Sequence, residues 1–488
     1  MTRMKRVRTY LLTFFFVFSF VIVALLWCWM DEKTILNIYL PKGNWNDEVF
    51  YYKQIGAMVK YGIPQGYFGY NEMSARYLTF GPWSIVLLMP YYIWGKVFGW
   101  NVLSPILANL TMITISMGVF FYIVRPKVKQ MFFWCLLVLA MPIITRFVIS
   151  GMVETIFYSA VIILVALQLS LHRVQDKRVI ISCYIIVGVI SLARPYFLLF
   201  ILIPYYFARN INKKKANIFT VFWGGLIVFV YYIVNTYLCA PYVVPIINTD
   251  FLKVFKERGC IELILFMLIK YYHGIKDILT YMAGAIKVGG NGELYILFAI
   301  VFIFALCIYW MKRQKRVLFI GISYFLILSA ILLLYSVDTG CRHLLAFIIY
   351  GLLIMIMEID VKGICVLEAL IWGACIIIPK DPYLYDIPYK DRAVVQECEG
   401  INKELEQIMK LEKGIGWDNT VAWIYDEQYD ICYYIPDGFG INICLEEIDS
   451  ASLKSKYILI NRDNLLWERY KSLYKLIWEG DNYVLLCR

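Results

Sequence analysis

Charged residues are scarce in this sequence: they make up 17% of its 488 residues, whereas soluble domains carry about a quarter. Hydrophobic residues make up 61%, and the mean hydropathy is +0.66. Apolar runs of about 17 to 25 residues, long enough to cross a bilayer, recur along most of the chain. The composition therefore excludes an ordinary soluble protein and predicts a polytopic α-helical membrane protein.

The residues that build common metal sites are also few or badly spaced. The chain has three histidines, and its 13 cysteines contain no C-x-x-C pair or other metal-ligand spacing. Most of the cysteines lie inside apolar runs, where cysteine acts as a small hydrophobic residue. No oxygen-ligand cluster clearly encodes a divalent cation, so the cofactor requirement stays open.

Basic residues outnumber acidic ones and give a net charge of +11. They lie in short clusters between apolar runs, among them "RMKRVR", "RPKVK", "RNINKKK" and "MKRQKR", which is typical of cytoplasmic loops. No basic patch interleaved with aromatic residues indicates a nucleic-acid partner. The first apolar run is too long for a signal peptide and lacks a small-residue cleavage site. We therefore expect an uncleaved first helix, a cytoplasmic N-terminus and an integral plasma-membrane protein.

This orientation predicts about eleven transmembrane crossings within residues 1–379. A first outer loop is expected at about 31–82, followed by an interfacial or re-entrant helix over Trp83 to Gly99. A long outer loop is expected at about 239–292, with amphipathic helices around Ile261 to Lys270 and Gly274 to Lys287.

The composition changes after "IIIPKDPYLYD", and residues 380–488 read as a small soluble α/β domain outside the membrane. The stretch "INKELEQIMKLEKG" has helical periodicity. The stretches "TVAWIYDE", "KYILINRD" and "YVLLCR" are typical of strands, and "KLIWEGDNYVLL" is typical of a hairpin.

Ionisable residues collect at the predicted outer ends of the apolar hairpins. They are Arg146, Glu154, Arg194, Arg342 and His343, and the outer loop adds Asp47, Glu48, Glu72 and Arg76. Ionisable groups near hydrocarbon are costly and usually face a cavity or one another. Carboxylates there could act on an acceptor, and arginines could hold a phosphate through forked hydrogen bonds. The pattern indicates a site at the outer boundary of the membrane.

Each of these residues also has a purely structural interpretation. Asp47 and Glu48 could cap a helix that starts beside them, since acids favour helix N-termini. Arg194, before a proline, could end its hairpin and extend towards lipid headgroups.

The remaining tip residues have structural interpretations of the same kind. Arg342 and His343 could anchor a helix in the interface. For Arg146 and Glu154 we favour a structural pair across their turn. Only the shared location of all these charges favours a functional site over these separate roles.

The order of several motifs resembles the GT-C superfamily of integral-membrane glycosyltransferases, which includes protein O-mannosyltransferases and the aminoarabinose transferases of lipid A. The motifs are "WNDEVFYY", "YLTFGPWSIVLLMPYYIWGKVFG", "SGMVETIFYSAVIILVAL" and "SLARPYFLLFILIPYY". The resemblance covers roughly Tyr10 to Tyr206. The C-terminal segment has no "WWDYG"-like motif, which argues against an oligosaccharyltransferase of the N-linked type.

The resemblance implies transfer of a sugar from a polyprenyl-phosphate-linked donor to a lipid, protein or glycan acceptor, outside the cytoplasm and with inversion. Asp47 matches the catalytic base of the family, and Glu48 is its neighbour. A phosphate leaving group needs nearby positive charge, and Arg342, Arg194 and His343 are the candidates.

Glu154, Arg76 and Tyr52 are further candidates for contacts with the acceptor or the sugar. Two other functions stay open. A flippase or transporter of lipid-linked saccharides would more commonly show repeated halves and polar groups at the bilayer midplane. A cell-surface polysaccharide polymerase or ligase would need arginines in outer loops but not the acid pair.

Overall fold

The structure is a computed structural model. It describes residues 3–37, 47–64, 68–73, 85–238, 250–312, 315–386, 392–413, 416–426, 428–445, 448 and 452–488.

Helices dominate the described chain. Those of the first half are α1 (Arg3–Val17), α2 (Ser19–Met30), α3 (Asp47–Tyr61), α4 (Met89–Phe98), α5 (Ser104–Val124), α6 (Val128–Ala140), α7 (Pro142–Val148), α8 (Glu154–Leu171), α9 (Lys177–Ala193), α10 (Leu202–Ile211) and α11 (Lys213–Tyr237). Those of the second half are α12 (Asp250–Val288), α13 (Gly292–Lys312), α14 (Lys315–Leu334), α15 (Val337–Gly340), α16 (Leu344–Glu358), α17 (Val361–Ile377), α18 (Pro382–Tyr385), α19 (Arg392–Ile408) and α20 (Trp467–Lys471). Short 3-10 helices occupy Ile35–Asn37, Ile85–Leu87, Pro195–Ile201, Cys341–His343, Trp417–Asn419 and Tyr429–Tyr433.

Five helices in the described ranges are long and apolar enough to cross a membrane, and two bent pairs raise the number to seven. The bent pairs are α1 with α2, at 73°, and α6 with α7, at 80°. The second bend lies where Pro142 begins α7, since a proline cannot continue the preceding helix. The membrane-helical architecture predicted from composition is present, and the eleven crossings stay a prediction because several apolar helices have only 17 residues.

The helical bundle is organised around α16, which lies against α8 and α13. Residues 344–356 of α16 are all buried, as expected for a helix that is apolar on every side. Tyr350 of α16 donates its hydroxyl to Gln168 Oε1 of α8 at 3.0 Å. Tyr324 of α14 donates to the Phe347 carbonyl oxygen at 2.6 Å. These bonds fix the bundle helices next to the site described below.

Two outer segments differ in detail from expectation. In place of two separate amphipathic helices, residues 250–288 form the single helix α12, interrupted only at Gly259 (φ 81°, ψ −173°). Gly274 does not break it: a Cβ there would lie 2.4 Å from Leu332 Cδ2, so glycine permits close helix packing. Over Trp83 to Gly99, the described part holds the ten-residue helix α4. Ten residues rise about 15 Å, half the hydrocarbon thickness, so α4 cannot span the bilayer.

A six-stranded sheet forms the C-terminal part. Its strands are β1 (Phe68–Tyr70), β2 (Thr420–Ile424), β3 (Gly440–Cys444), β4 (Tyr457–Asn461), β5 (Lys475–Glu479) and β6 (Tyr483–Cys487). Their order is β1-β3-β2-β4-β6-β5; the first four are parallel, and β6 is antiparallel to both β4 and β5. The strands predicted from "TVAWIYDE", "KYILINRD" and "YVLLCR" are β2, β4 and β6, and the β5–β6 hairpin is the predicted one.

The edge strand β1 comes from the first outer loop, so the sheet is not built from residues 380–488 alone. Glu72, directly after β1, is 2% exposed. Its carboxylate accepts from the backbone N–H groups of Lys454 (2.7 Å) and Ser455 (2.8 Å) and from the Ser455 hydroxyl (2.6 Å). Glu72 has φ 57°, an unusual backbone for a residue with a side chain, and these three bonds stabilise it.

Helix α3 makes the second connection between the loop and the sheet domain. Lys53 Nζ lies 2.7 Å from Asp437 Oδ1 and donates to the Ile435 carbonyl oxygen at 2.6 Å. Near the end of the helix, Lys60 pairs with Glu406 of α19. Helix α3 and strand β1 are therefore packed together with the C-terminal sheet domain.

Replacing Glu72 tests this connection. Glu72→Ala leaves three donors without their acceptor, two of them buried, and we expect it to lower the free energy of unfolding by about 2–4 kcal/mol. The measurement is denaturation of the purified chain, with Glu72→Gln expected to be intermediate. Glu468→Ala, on the exposed side of α20 in the same domain, is the control and should be neutral. Equal stability of Glu72→Ala and the control would contradict the connection.

Candidate active site

Asp47 lies against Arg342, which is 295 positions later in the chain. Helix α3 begins at Asp47, so Asp47 and Glu48 lie in its first turn, where acids stabilise a helix. Asp47 Oδ2 is 3.2 Å from an Nη atom of Arg342, in the 3-10 helix before α16. Both side chains are partly accessible: Asp47 is 17% exposed and Arg342 is 28% exposed. Asp47 can therefore both stabilise the start of α3 and take part in a functional site.

A second, more deeply buried ion pair joins the first residue of α8 to the residue that follows α9. Arg194 Nη lies 2.7 Å from Glu154 Oε1, and each side chain is 2% exposed. The Arg194 guanidinium lies over the Phe157 ring, 4.5 Å from its centroid. Its other Nη atom lies 3.3 Å from both the Tyr196 hydroxyl and His343 Nδ1. Arg194 is thus enclosed by the protein on several sides.

The two pairs form one cluster. Arg342 and His343 are consecutive, so one 3-10 helix contacts both pairs, and the Tyr196 hydroxyl lies 2.9 Å from His343 Nδ1. Tyr51, one helical turn after Asp47, interacts electrostatically with both arginines and with Asp47. Burial raises the pKa of Tyr51 well above its ordinary value, so it is a neutral phenol.

Tyr51 and Tyr196 were missed by sequence reasoning, although both had a signal. Tyr51 is four residues after Asp47, the spacing that places two side chains on one helix face. Tyr196 follows Arg194 by two residues, at the start of the Pro195–Ile201 3-10 helix.

Glu48 points into a different environment from its neighbour. It is 1% exposed and accepts the Gly151 N–H at 3.0 Å. A Cβ on Gly151 would lie 3.1 Å from Glu48 Cβ, so a larger residue there would press on this contact. Burial raises the pKa of Glu48 to about 7, against an opposing effect of the Arg146 charge. The two adjacent carboxylates are therefore chemically distinct.

The expected pair between Arg146 and Glu154 is wrong. Glu154 bonds to Arg194 instead, because the first residue of α8 faces the end of α9. Arg146 donates its Nε–H to the Asp386 carbonyl oxygen at 3.0 Å, beyond the last predicted crossing.

Two other candidates lie outside the cluster. Tyr52 stacks on Trp100, with ring centroids 5.5 Å apart, and contacts Tyr433 of the sheet domain. Arg76 is outside the described residues. The structure thus brings Asp47, Arg342, Arg194, His343 and Glu154 together and separates Glu48 and Tyr52 from them. Within the described ranges, no group of three or more histidine, cysteine, aspartate or glutamate residues could hold a metal ion.

The buried pair gives a stability prediction. Glu154→Leu leaves the Arg194 charge buried without its partner, and we expect a cost of about 3–5 kcal/mol. Arg194→Met should cost a similar amount, and the double variant less than the sum of the two. A double-mutant cycle on unfolding measures this coupling. The exposed pair Glu468–Lys471, at 3.8 Å, is the control, with expected coupling below about 1 kcal/mol. Additive effects at Glu154 and Arg194 would contradict the pair.

The raised pKa of Glu48 gives a pH prediction. The folded protein binds this proton more tightly than the unfolded chain, whose glutamate has the ordinary pKa of 4.5. The stabilisation is therefore complete below pH 4.5 and is lost as the pH rises towards 7, in total about 3 kcal/mol. Glu48→Gln imitates the protonated form, so its melting temperature should fall less than that of the wild type between pH 5 and 8. Parallel melting profiles would contradict the assignment; Glu397→Gln, exposed on α19, is the control.

Comparison with solved structures shows the fold of the chain. ArnT from Cupriavidus metallidurans, solved with undecaprenyl phosphate, matches with a TM-score of 0.53 and 11% identity, over 96% of this chain and 97% of ArnT. The Archaeoglobus fulgidus oligosaccharyltransferase in its apo form matches with a TM-score of 0.52 and 10% identity, over 92% of this chain and 69% of that one. The oligosaccharyltransferase AglB from the same organism, solved with an inhibitory peptide and a dolichol-phosphate, matches with a TM-score of 0.50 and 9% identity, over 94% and 70%.

No protein-family model and no curated protein sequence matches the chain. The likeness is therefore one of fold, since the identities are near 10%. ArnT and AglB are GT-C proteins. The chain is similar in fold to the GT-C superfamily, as the motif resemblance implied.

Proposed function

We propose that this chain is a membrane glycosyltransferase that moves a sugar from a polyprenyl-phosphate-linked donor to an acceptor, with inversion, on the extracytoplasmic side. In this proposal residues 1–379 form the membrane module, the N-terminus is cytoplasmic, and residues 380–488 form an outer domain. The observation that carries it is the contact between Asp47 and Arg342, a partly accessible carboxylate and guanidinium above a buried ion pair. Shared fold with ArnT and AglB, solved with undecaprenyl phosphate and a dolichol-phosphate, supports the donor class.

Arg342 is the residue we assign to the donor phosphate. Its guanidinium carries five N–H donors in a planar fork that matches two phosphate oxygens, and its side chain is 28% exposed. Positive charge there stabilises the phosphate as the bond to the sugar breaks. Arg194 is enclosed by Glu154, Tyr196, His343 and Phe157, so we assign it the task of positioning the Arg342 segment.

Asp47 is the proposed base. The acceptor hydroxyl oxygen attacks the anomeric carbon while the carbon–oxygen bond to phosphate breaks, and the hydroxyl proton passes to the Asp47 carboxylate. The leaving group is the polyprenyl phosphate, and one displacement inverts the anomeric centre. A phosphate bound to Arg342 competes with Asp47 for the guanidinium. Donor binding therefore releases the carboxylate to face the acceptor.

The test is sugar transfer from a set of radiolabelled polyprenyl-phosphate sugars in membranes that carry each variant. We expect Asp47→Asn to lower kcat by about 10²–10⁴-fold with little change in the donor KM, because the amide cannot accept the proton. Arg342→Gln should raise the donor KM and lower kcat, together about 10²–10³-fold in kcat/KM. Asp277→Asn, on the exposed face of α12, is the control.

Three outcomes would count against the proposal. Unchanged transfer by Asp47→Asn would rule out Asp47 as the base. A product with retained anomeric configuration would rule out a mechanism with a single displacement. Wild-type inactivity with every donor, together with translocation of a lipid-linked saccharide across vesicles, would favour the flippase.

A further inference from the structure

A small open cleft with a volume of about 130 Å³ lies between α3 and α19, below the roughly 300–1,000 Å³ of drug-sized pockets. Tyr52 and Lys53 line it from α3; Glu399 and Lys403 line it from α19; Tyr433 lines it from the sheet domain. With 3.6 residues per turn, Tyr52 and Lys53 occupy a different face of α3 from Asp47. The cleft is therefore separate from the cluster around Arg342.

Fixed aromatic rings form one wall of the cleft. Tyr52 stacks on Trp100 with an angle of 28° between the rings, and its centroid is 5.3 Å from that of Tyr433. The Trp100 indole N–H donates to the Tyr52 carbonyl oxygen at 3.0 Å, which holds this pair in place. The negative face of an aromatic ring attracts the C–H groups of a pyranose ring. Such a wall suits a sugar better than a flat apolar ligand without polar edges.

The polar wall is held equally firmly. Lys53, 9% exposed, is fixed by Asp437 and by the Ile435 carbonyl oxygen. Asn402 of α19 donates its amide hydrogens to the carbonyl oxygens of Tyr433 (2.9 Å) and Ile435 (3.1 Å). The backbone on this side of the cleft is thus preorganised, which lowers the entropy cost of binding.

The charges that line the cleft balance. Lys53 and Lys403 are offset by Glu399 and Asp437, so a phosphate or another polyanion gains no net attraction. Lysine and carboxylate side chains together supply both donors and acceptors, which is what a ligand rich in hydroxyl groups requires. The aromatic wall and the balanced charge indicate the same class of ligand, and the small volume limits the bound part to a single ring.

We infer that this cleft binds one pyranose ring of a neutral saccharide. The inference does not rest on the proposed transfer reaction, because the cleft shares no residue with the Asp47–Arg342 site. The cleft is lined by two parts of the chain, α3 and the sheet domain, and it forms only because they pack together.

The test is direct binding to the full chain in nanodiscs of phosphatidylethanolamine and phosphatidylglycerol, since detergents with sugar headgroups would compete. The probes are maltotriose, mannotriose, galactotriose and tri-N-acetylchitotriose, measured by saturation-transfer NMR and titration. We expect saturable binding of at least one. The double variant Glu399→Ala/Lys403→Ala should weaken it at least tenfold, and because both residues are exposed on α19 the fold should persist.

Two controls separate this inference from the proposed function. Glu397→Ala, exposed on the same helix but outside the cleft, should bind as the wild type does. Asp47→Asn should also bind normally, whatever its transfer activity. Absence of binding by all four probes, equal binding by the double variant, or preferred binding of an acidic trisaccharide such as trigalacturonate would overturn the inference.

Discussion

A charge near hydrocarbon is tolerable only when it is paired. The Glu154–Arg194 contact satisfies this constraint for two almost fully buried charges. The two residues begin α8 and end α9, and each side chain is almost fully buried. Their pairing fixes the relative position of the two hairpins. Through His343 it also fixes the 3-10 helix that presents Arg342 to Asp47. The buried Glu154–Arg194 pair therefore holds the accessible Asp47–Arg342 pair in place.

Helix α3 connects this cluster to the C-terminal sheet domain. One of its faces carries Asp47 and Tyr51 towards the arginines, and another carries Tyr52 and Lys53 towards the sheet domain. The edge strand β1, which follows α3 in the chain, completes the sheet.

The two adjacent carboxylates show how position decides chemistry. Asp47 is partly accessible and paired with a guanidinium, whereas Glu48 is buried against Gly151 with its pKa raised to about 7. The base in the proposed transfer must be accessible to an acceptor, and Asp47 is partly accessible. Glu48 instead joins the start of α3 to the turn before α8. At identities near 10%, the likeness to ArnT and to the oligosaccharyltransferase is one of fold, and the chemistry must be argued from these residues.

Sequence by itself determined the membrane-helical class, the small C-terminal α/β region with strands β2, β4 and β6, and the set of outer charges from which the site is built. These follow from local composition and periodicity, which a single sequence carries. It could not determine partners, because Arg342 and Asp47 are separated by 295 residues and meet only through packing. The same applies to Glu154, which pairs with Arg194 although Arg146 is nearer in the sequence. It also applies to β1, whose three residues pair with a strand more than 370 positions away. Tertiary structure alone decided which charges are buried and which are accessible, since desolvation depends on everything packed around a group and not on its neighbours in the chain.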